Sequence, residues 1–358
     1  MDTAFAALVA GGLRTERFGL LDAGCAGGID PRWRAFGPRL RAIAIDASRA
    51  ECARLGALES NPDVEYLAAF VGRTAGSKVD LAAGQASRLI LEIRERLSVM
   101  RTREIRRARL GQATDEEKLR HNSWELTELA DPAAPIVLPE LLASRGWTDL
   151  DYLKIDIDGA DFEILQSFDG KFDRLGILGV QLEVNFIGTD AAGDHSFHNT
   201  DRFMRRQGYE LFRLDVRTYS SRALPARYVW PTPAETVSGR PFQGEAYYAR
   251  DLLADGRQTA TAEKLGKLLA IFSAWGVPDV AAELLLARRE AVAPILDVDK
   301  GLDLLAAQSQ PDRSHKLGYR AYIREFESDA PSFYRPEGDY TLGERVAAAW
   351  QSFKHPRR

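Results

Sequence analysis

The chain has 358 residues, 45% hydrophobic and 28% charged, with a formal net charge of −4. That make-up suits a globular protein with a real core, sized for one large domain and a smaller one. It excludes a global basic field for nucleic acid, and no apolar run approaches the ~20 residues of a membrane span. Two cysteines, Cys25 and Cys52, are too few for a disulfide framework and fit a reducing cytoplasm. Residues 1–12 are apolar but short, and Asp2 stands where a signal peptide would be basic.

Residues 3–11 read as a first helix stopped by Gly11-Gly12. The first strand covers about 19–23 and hands over to a cluster of small residues, Gly24-Cys25-Ala26-Gly27-Gly28. Asp30-Pro31 starts a helix or turn whose Trp33 and Phe36 pack inward. A second apolar run, 40–45, ends in Asp46. A helix over 48–58, capped by Ser48, leads through the turn Asn61-Pro62-Asp63 to a third strand over 64–71. Strand, helix, strand, helix, strand argues for a parallel sheet with right-handed crossovers.

From 89 to 110 the chain becomes basic, with Arg94, Arg96, Arg101, Arg103, Arg106, Arg107 and Arg109. Glu92, Glu95 and Glu104 are interleaved, so the stretch reads as a solvated helix face inside an insertion of about 89–130. Helical periodicity resumes at 136–142. A fourth strand over 150–157 ends at Asp158-Gly159, a helix covers 161–168, and a fifth strand covers 175–184. A polar loop at 188–199 holds His195 and His198. A helix over 200–207, closed by Gly208, precedes strands at 209–215 and 246–250, expected as an antiparallel hairpin at the sheet edge. Leu265, Leu268, Leu269 and Phe272 keep helical spacing, as do Ala281, Leu284 and Leu285. The division expected is therefore 1–254 for the sheet domain and 255–358 for a helical appendage, suited to packing, homo-oligomer formation or substrate recognition.

The chemistry starts at the glycine turn. Asp46 follows the glycines by about 20 residues, where a Rossmann-type unit places a ribose-binding carboxylate. The turn is Gly24-x-Ala26-x-Gly28, not the G-x-G-x-x-G that cradles a pyrophosphate. Asp22 just before it would repel a pyrophosphate and suits a ligand with a positive end. Asp22, Gly24, Ala26, Gly28 and Asp46 are thus the candidate cofactor-binding residues, and the amino group of S-adenosylmethionine (SAM) matches Asp22.

The fourth strand narrows the reading. Leu153-Lys154-Ile155-Asp156-Ile157-Asp158-Gly159-Ala160-Asp161-Phe162-Glu163-Ile164-Leu165 resembles the signature of the FkbM family of SAM-dependent methyltransferases. The resemblance runs from about residue 19 to 250 and takes in Gln181-Leu182-Glu183-Val184 and Phe203-x-x-x-x-Gly208-Tyr209-x-Leu211-Phe212. Asp158 stands where Glu is commoner, and Ala47-Ser48 replaces a Glu-Pro-like strand ending. The resemblance implies a Rossmann-like, seven-stranded class I methyltransferase sheet. It also implies methyl transfer, usually to a hydroxyl oxygen of a sugar, glycan or other natural product.

Asp156 and Glu183 lie at neighbouring strand ends, where open α/β sheets bind ligands. Acids so placed can contact the cofactor, hold Mg²⁺, orient an acceptor hydroxyl or serve as base. His195 and His198 are further candidate bases by intrinsic pKa. Two other readings stay open. One is an NAD- or nucleotide-sugar-dependent oxidoreductase, which would want a proton-donating Tyr-x-x-x-Lys that the chain lacks. The other is a binding module that kept the fold and lost the chemistry.

Overall fold

The structure is a computed structural model that describes residues 3–74, 77, 129–157, 160–221, 223–229, 235–252, 260–311, 313–329, 333 and 341–346. Most of the basic insertion, together with Asp158, Gly159 and the 255 boundary, lies outside the described residues.

Seven strands form one sheet in the order β3-β2-β1-β4-β5-β7-β6. They are β1 (Phe18–Ala23), β2 (Leu40–Asp46), β3 (Val64–Ala68), β4 (Tyr152–Ile155), β5 (Gly179–Asn185), β6 (Glu210–Tyr219) and β7 (Arg240–Ala249). β1 to β5 pair in parallel, and β7 runs antiparallel to both β5 and β6. The hairpin therefore sits where the sequence suggests, with its second strand inserted between β5 and the edge. β1 and β5 are buried at every position, as strands covered on both faces must be.

The helices are α1 (Ala4–Gly12), α2 (Arg49–Leu58), α3 (Leu138–Ser144), α4 (Asp161–Gln166), α5 (Phe172–Leu175), α6 (Phe197–Arg206), α7 (Ala262–Ala274), α8 (Pro278–Ala287), α9 (Arg289–Val292), α10 (Val298–Gln308) and α11 (Tyr319–Ser328). A 3-10 helix, Pro31–Arg39, follows β1. Two expectations shift. The fifth strand begins at Gly179, because 172–175 form a helix that Gly176 ends at φ +63°, a left-handed value open to glycine. Helix α6 begins at Phe197, so His198 rides on a helix and not in the preceding loop.

Alternation along the strands sorts two cores. On one face Leu21, Ile43, Leu153, Val180 and Tyr248 pack with Phe162, Phe168 and Phe172. On the other, Leu20, Ala42, Tyr152 and Tyr247 pack with Trp33 and Phe36 of the 3-10 helix, with α1, and with Leu268, Ile271, Phe272 and Trp275. Helices follow residue 260 as expected. Residues 265–273 of α7 are all buried, the mark of a helix enclosed on every side. The core is thus continuous from α1 through the sheet to α7, α8 and α10.

A buried ionic cluster ties α7 to the amino ends of the strands. Lys267, fully buried, holds Nζ 3.0 Å from both oxygens of equally buried Asp151 and 2.9 Å from the Arg17 carbonyl. Lys264 reaches Asp151 at 2.6 Å, and Gly19 N–H donates to Asp151 at 2.8 Å. This end of the sheet is therefore cross-linked, and the carboxyl ends are left for ligands.

Candidate active site at the carboxyl ends of the strands

The sheet order reverses between β1 and β4, the switch point where ligands enter open α/β folds. The turn after β1 fills that position. Gly24 takes φ +88°, and a Cβ there would lie 1.7 Å from the Asp156 carbonyl oxygen. Only glycine lets β1 and β4 close up at this point. Gly24 and Cys25 N–H both donate to the Ile45 carbonyl, at 2.8 and 3.0 Å. Ala26 and Gly27 at the tip are exposed, and Gly28 (φ +97°) turns the chain back over Leu55.

Lys154 binds the turn to the fourth strand. Its Nζ donates to the Gly24 carbonyl at 3.2 Å and lies 3.2 Å from Asp22 Oδ1 and 3.4 Å from Asp156 Oδ2. Among the described residues, this buried Asp22 oxygen has the Lys154 charge beside it and no other donor. Burial raises the pKa of Asp22, with Lys154 opposing, while the flanking acids raise that of Lys154 despite its burial. Asp46 is also raised by burial, and its Oδ1 accepts the Ser48 N–H at 2.8 Å.

Glu51 is a site residue that the sequence reading missed. Its Oε1 accepts the Gly27 N–H at 3.0 Å, and Arg54 pairs with it at 2.6 Å. The signal was Ser48-x-x-Glu51, a capping box. Ser48 does cap α2, accepting the Glu51 N–H at 3.2 Å. Its own N–H is already taken by Asp46, which frees the Glu51 carboxylate to turn toward the glycines. A carboxylate thus occupies one of the turn's N–H donors, which argues against a pyrophosphate there.

Beyond Asp156, polar residues continue across the same face of the sheet. Glu183 of β5 stands directly opposite Glu245 of β7. Oxygens of Asp156, Glu183 and Glu245 all lie within 4.8 Å of one another. Arg217 of β6 reaches Glu183 at 3.3 Å and Glu245 at 3.0 Å. Gln243 donates to Glu183 at 2.8 Å. Glu245 and Arg217 lie on the late hairpin, and neither was marked in the sequence. Burial first, then Asp156, push the Glu245 carboxyl up to about 7, against Arg217, Gln181 and Lys154.

The three carboxylates have the oxygen chemistry of a hard-cation site. The cation positions, however, are filled from within: Arg217 spans Glu183 and Glu245, and Lys154 holds Asp156. A divalent ion would have to displace Arg217, so this arrangement does not fit Mg²⁺.

The two histidines part company. His195 Nε2 lies 2.9 Å from the Glu183 carbonyl, and Nδ1 lies 3.4 Å from Asn185 Nδ2 and 3.9 Å from Asp161 Oδ2. Both nitrogens are occupied, so His195 braces the end of β5. His198 is exposed, with Nε2 3.4 Å from Ser196 Oγ. Neither is brought into the carboxylate cluster.

This strand order, with the seventh strand antiparallel beside the fifth, is that of the class I SAM-dependent methyltransferase fold. Residues 100–211 match the family model described as "Methyltransferase FkbM domain". The matched span includes the Lys154–Leu165 motif, Glu183 and both histidines. Among solved structures, the chain is similar to magnesium protoporphyrin IX methyltransferase (ChlM) from Synechocystis PCC 6803 with bound SAM. The identity is 11% over 70% of this chain and 77% of that one, with a TM-score of 0.30. It is also similar to the 23S rRNA methyltransferase ErmE, at 13% identity over 85% and 97% of the two chains, with a TM-score of 0.29. No curated protein matches the sequence. Among the described residues, no helix is long and apolar enough to cross a membrane.

Proposed function

We propose that the chain is a SAM-dependent O-methyltransferase acting on a hydroxyl of a sugar, glycan or other polyhydroxylated small molecule. The observation that carries the cofactor assignment is the Asp22–Lys154–Asp156 cluster under the Gly24 turn. Among the described residues, its buried Asp22 oxygen has only the Lys154 ammonium beside it, and the cofactor's ammonium is a further donor of the right charge. Asp46 at the end of β2 is set to accept from ribose hydroxyls. Glu51 on the Gly27 N–H speaks against the dinucleotide reading.

SAM, when bound, supplies an electrophilic methyl group; the protein's share is alignment and proton removal. Asp22 and Lys154 fix the turn, and Gly24 keeps it against β4. The acid-lined face from Asp156 to Glu245 offers hydrogen-bond acceptors to hydroxyl donors, which is the support for an oxygen acceptor. Mg²⁺ has no part in this reading, because Arg217 and Lys154 already hold the carboxylates.

The test is transfer of labelled methyl from SAM to a panel of monosaccharides, oligosaccharides and glycolipids, with EDTA present throughout. Label in ether linkage on one acceptor class is expected. Label appearing only on amines, or only after Mg²⁺ is added, would refute the reading.

A further inference from the structure

The chain has only two cysteines, and the fold brings both to the turn after β1. Cys25 follows Gly24 in that turn, and its N–H donates to the Ile45 carbonyl at the end of β2. Cys52 closes the first turn of α2, and its Sγ lies 3.7 Å from the carbonyl oxygen of Asp46. Further contacts join the same two segments. The Gly27 N–H donates to Glu51 at 3.0 Å, and a Cβ on Gly28 would meet Leu55 Cδ2 at 3.2 Å. The two thiols are buried between these contacts and lie against each other, each the strongest influence on the other's proton.

The pair is asymmetric. The Cys25 contact pulls the Cys52 thiol down, against burial and the nearby acids Asp46 and Glu51, while the Cys52 contact and burial push the Cys25 thiol up. Cys52 also sits at the amino end of a ten-residue helix, a place that favours the thiolate. Cys52 is therefore the sulfur that ionises and attacks, and Cys25 the one that resolves. Ala26 and Gly27, beside Cys25, are exposed, so only the thickness of the turn separates the pair from solvent. A small oxidant can cross that distance; a bulky one cannot.

We infer that Cys25 and Cys52 form a redox-modification site: an intrachain disulfide that a peroxide closes, a thiol reductant opens, and that controls the cofactor turn. The Cys52 sulfur attacks one peroxide oxygen. The O–O bond breaks, and the departing hydroxide takes up the proton that Cys52 gave up, leaving water. The Cys25 sulfur then attacks the Cys52 sulfenic sulfur, the S–O bond breaks, and a second water leaves with the Cys25 proton. The two thiols lose two electrons and two protons, and the peroxide is reduced to two waters. A disulfide sets its sulfurs about 2 Å apart, closer than two thiols can approach. Closing it draws the turn toward α2. Gly24 has no slack to follow, because the Asp156 carbonyl fills the place of a side chain there. The oxidised turn therefore holds the cofactor less well.

The effect on the cofactor rests on the proposed use of SAM, whereas the bridge itself is read without any ligand. The reduced full-length protein is treated with hydrogen peroxide, then unfolded and alkylated. A mass about 2 Da lower, no alkylation, and one cross-linked peptide joining Cys25 to Cys52 are expected. Calorimetry with S-adenosylhomocysteine (SAH) should then show affinity lowered by about tenfold and restored by dithiothreitol. By linkage, saturating SAH should disfavour the bridge by the same factor in a dithiothreitol redox buffer. Cys52→Ala and Cys52→Ser should bind SAH as the reduced wild type does and lose the response to peroxide. Separate oxidation or alkylation of the two sulfurs, a bridge between chains, or a bridge that leaves SAH affinity unchanged would each overturn the inference. Failure of the reduced protein to bind SAH would instead sink the SAM reading itself, with the bridge still read by mass.

Discussion

Lys267→Met removes the ammonium that joins α7 to the strands while keeping most of its volume. In the native protein that ammonium touches Asp151, Glu16 and the Arg17 carbonyl, and both Lys267 and Asp151 are fully buried. Breaking a buried pair from one side costs about 3–5 kcal/mol, because a charge is left behind without its partner. Here Asp151 keeps Lys264 at 2.6 Å and the Gly19 N–H at 2.8 Å, and the methionine adds apolar burial. The net loss should be about 2–4 kcal/mol, or roughly 30- to 900-fold in the folding equilibrium. Adding Asp151→Asn should recover at least about 1 kcal/mol, since the stranded charge is gone. Urea unfolding of the two single variants and the double variant measures both quantities. A loss under about 0.5 kcal/mol, or two separate transitions in the wild type, would refute the claim that α7 folds as part of the sheet's core.

Gly24→Ala should cost about 3 kcal/mol or more, from positive-φ strain plus the clash with the Asp156 carbonyl, and should weaken SAH binding at least tenfold; near-native binding would contradict the close approach of β1 and β4. Glu245 gives stability a pH dependence. Its folded-state pKa of about 7 exceeds the ordinary 4.5, so between those values the native state keeps a proton that the unfolded chain has lost. Its contribution is present below about pH 4.5 and lost as the pH rises to 7, at most about 3 kcal/mol. Denaturant midpoints compared between wild type and Glu245→Gln should converge at pH 5 and diverge in favour of the variant at pH 8; parallel curves would disprove it. Millimolar Mg²⁺ should leave the melting temperature unchanged, and a rise of several degrees would show that an ion displaces Arg217.

What the sequence made legible was local. The order of strands and helices, the Gly24 turn with Asp22 before it, and the Lys154–Asp156 strand are contiguous signals. Their meaning depends on a few neighbouring residues and on alternation. Ser48 as a cap was equally readable, because N-capping needs only three residues. Glu51 was hidden by the same motif: its carboxylate is released only because Asp46 takes the Ser48 N–H, which is a fact of tertiary structure. Glu245 and Arg217 lay beyond reach for a different reason. Their place beside Asp156 depends on β7 entering the sheet next to β5 in one register, and a slip of one residue would turn Glu245 to the opposite face. His195 drew notice by its pKa alone, whereas its position between the Glu183 carbonyl and Asn185 makes it a brace.

The central claim is that the turn after β1 holds SAM. Titration of the protein with SAH and with NAD in a calorimeter, alongside Asp22→Asn, tests it most directly. SAH should bind with one-site stoichiometry, NAD should give no heat of binding, and Asp22→Asn should weaken SAH by about tenfold or more, the loss of one charge-assisted contact. NAD binding in place of SAH, or SAH affinity indifferent to Asp22, would contradict the assignment.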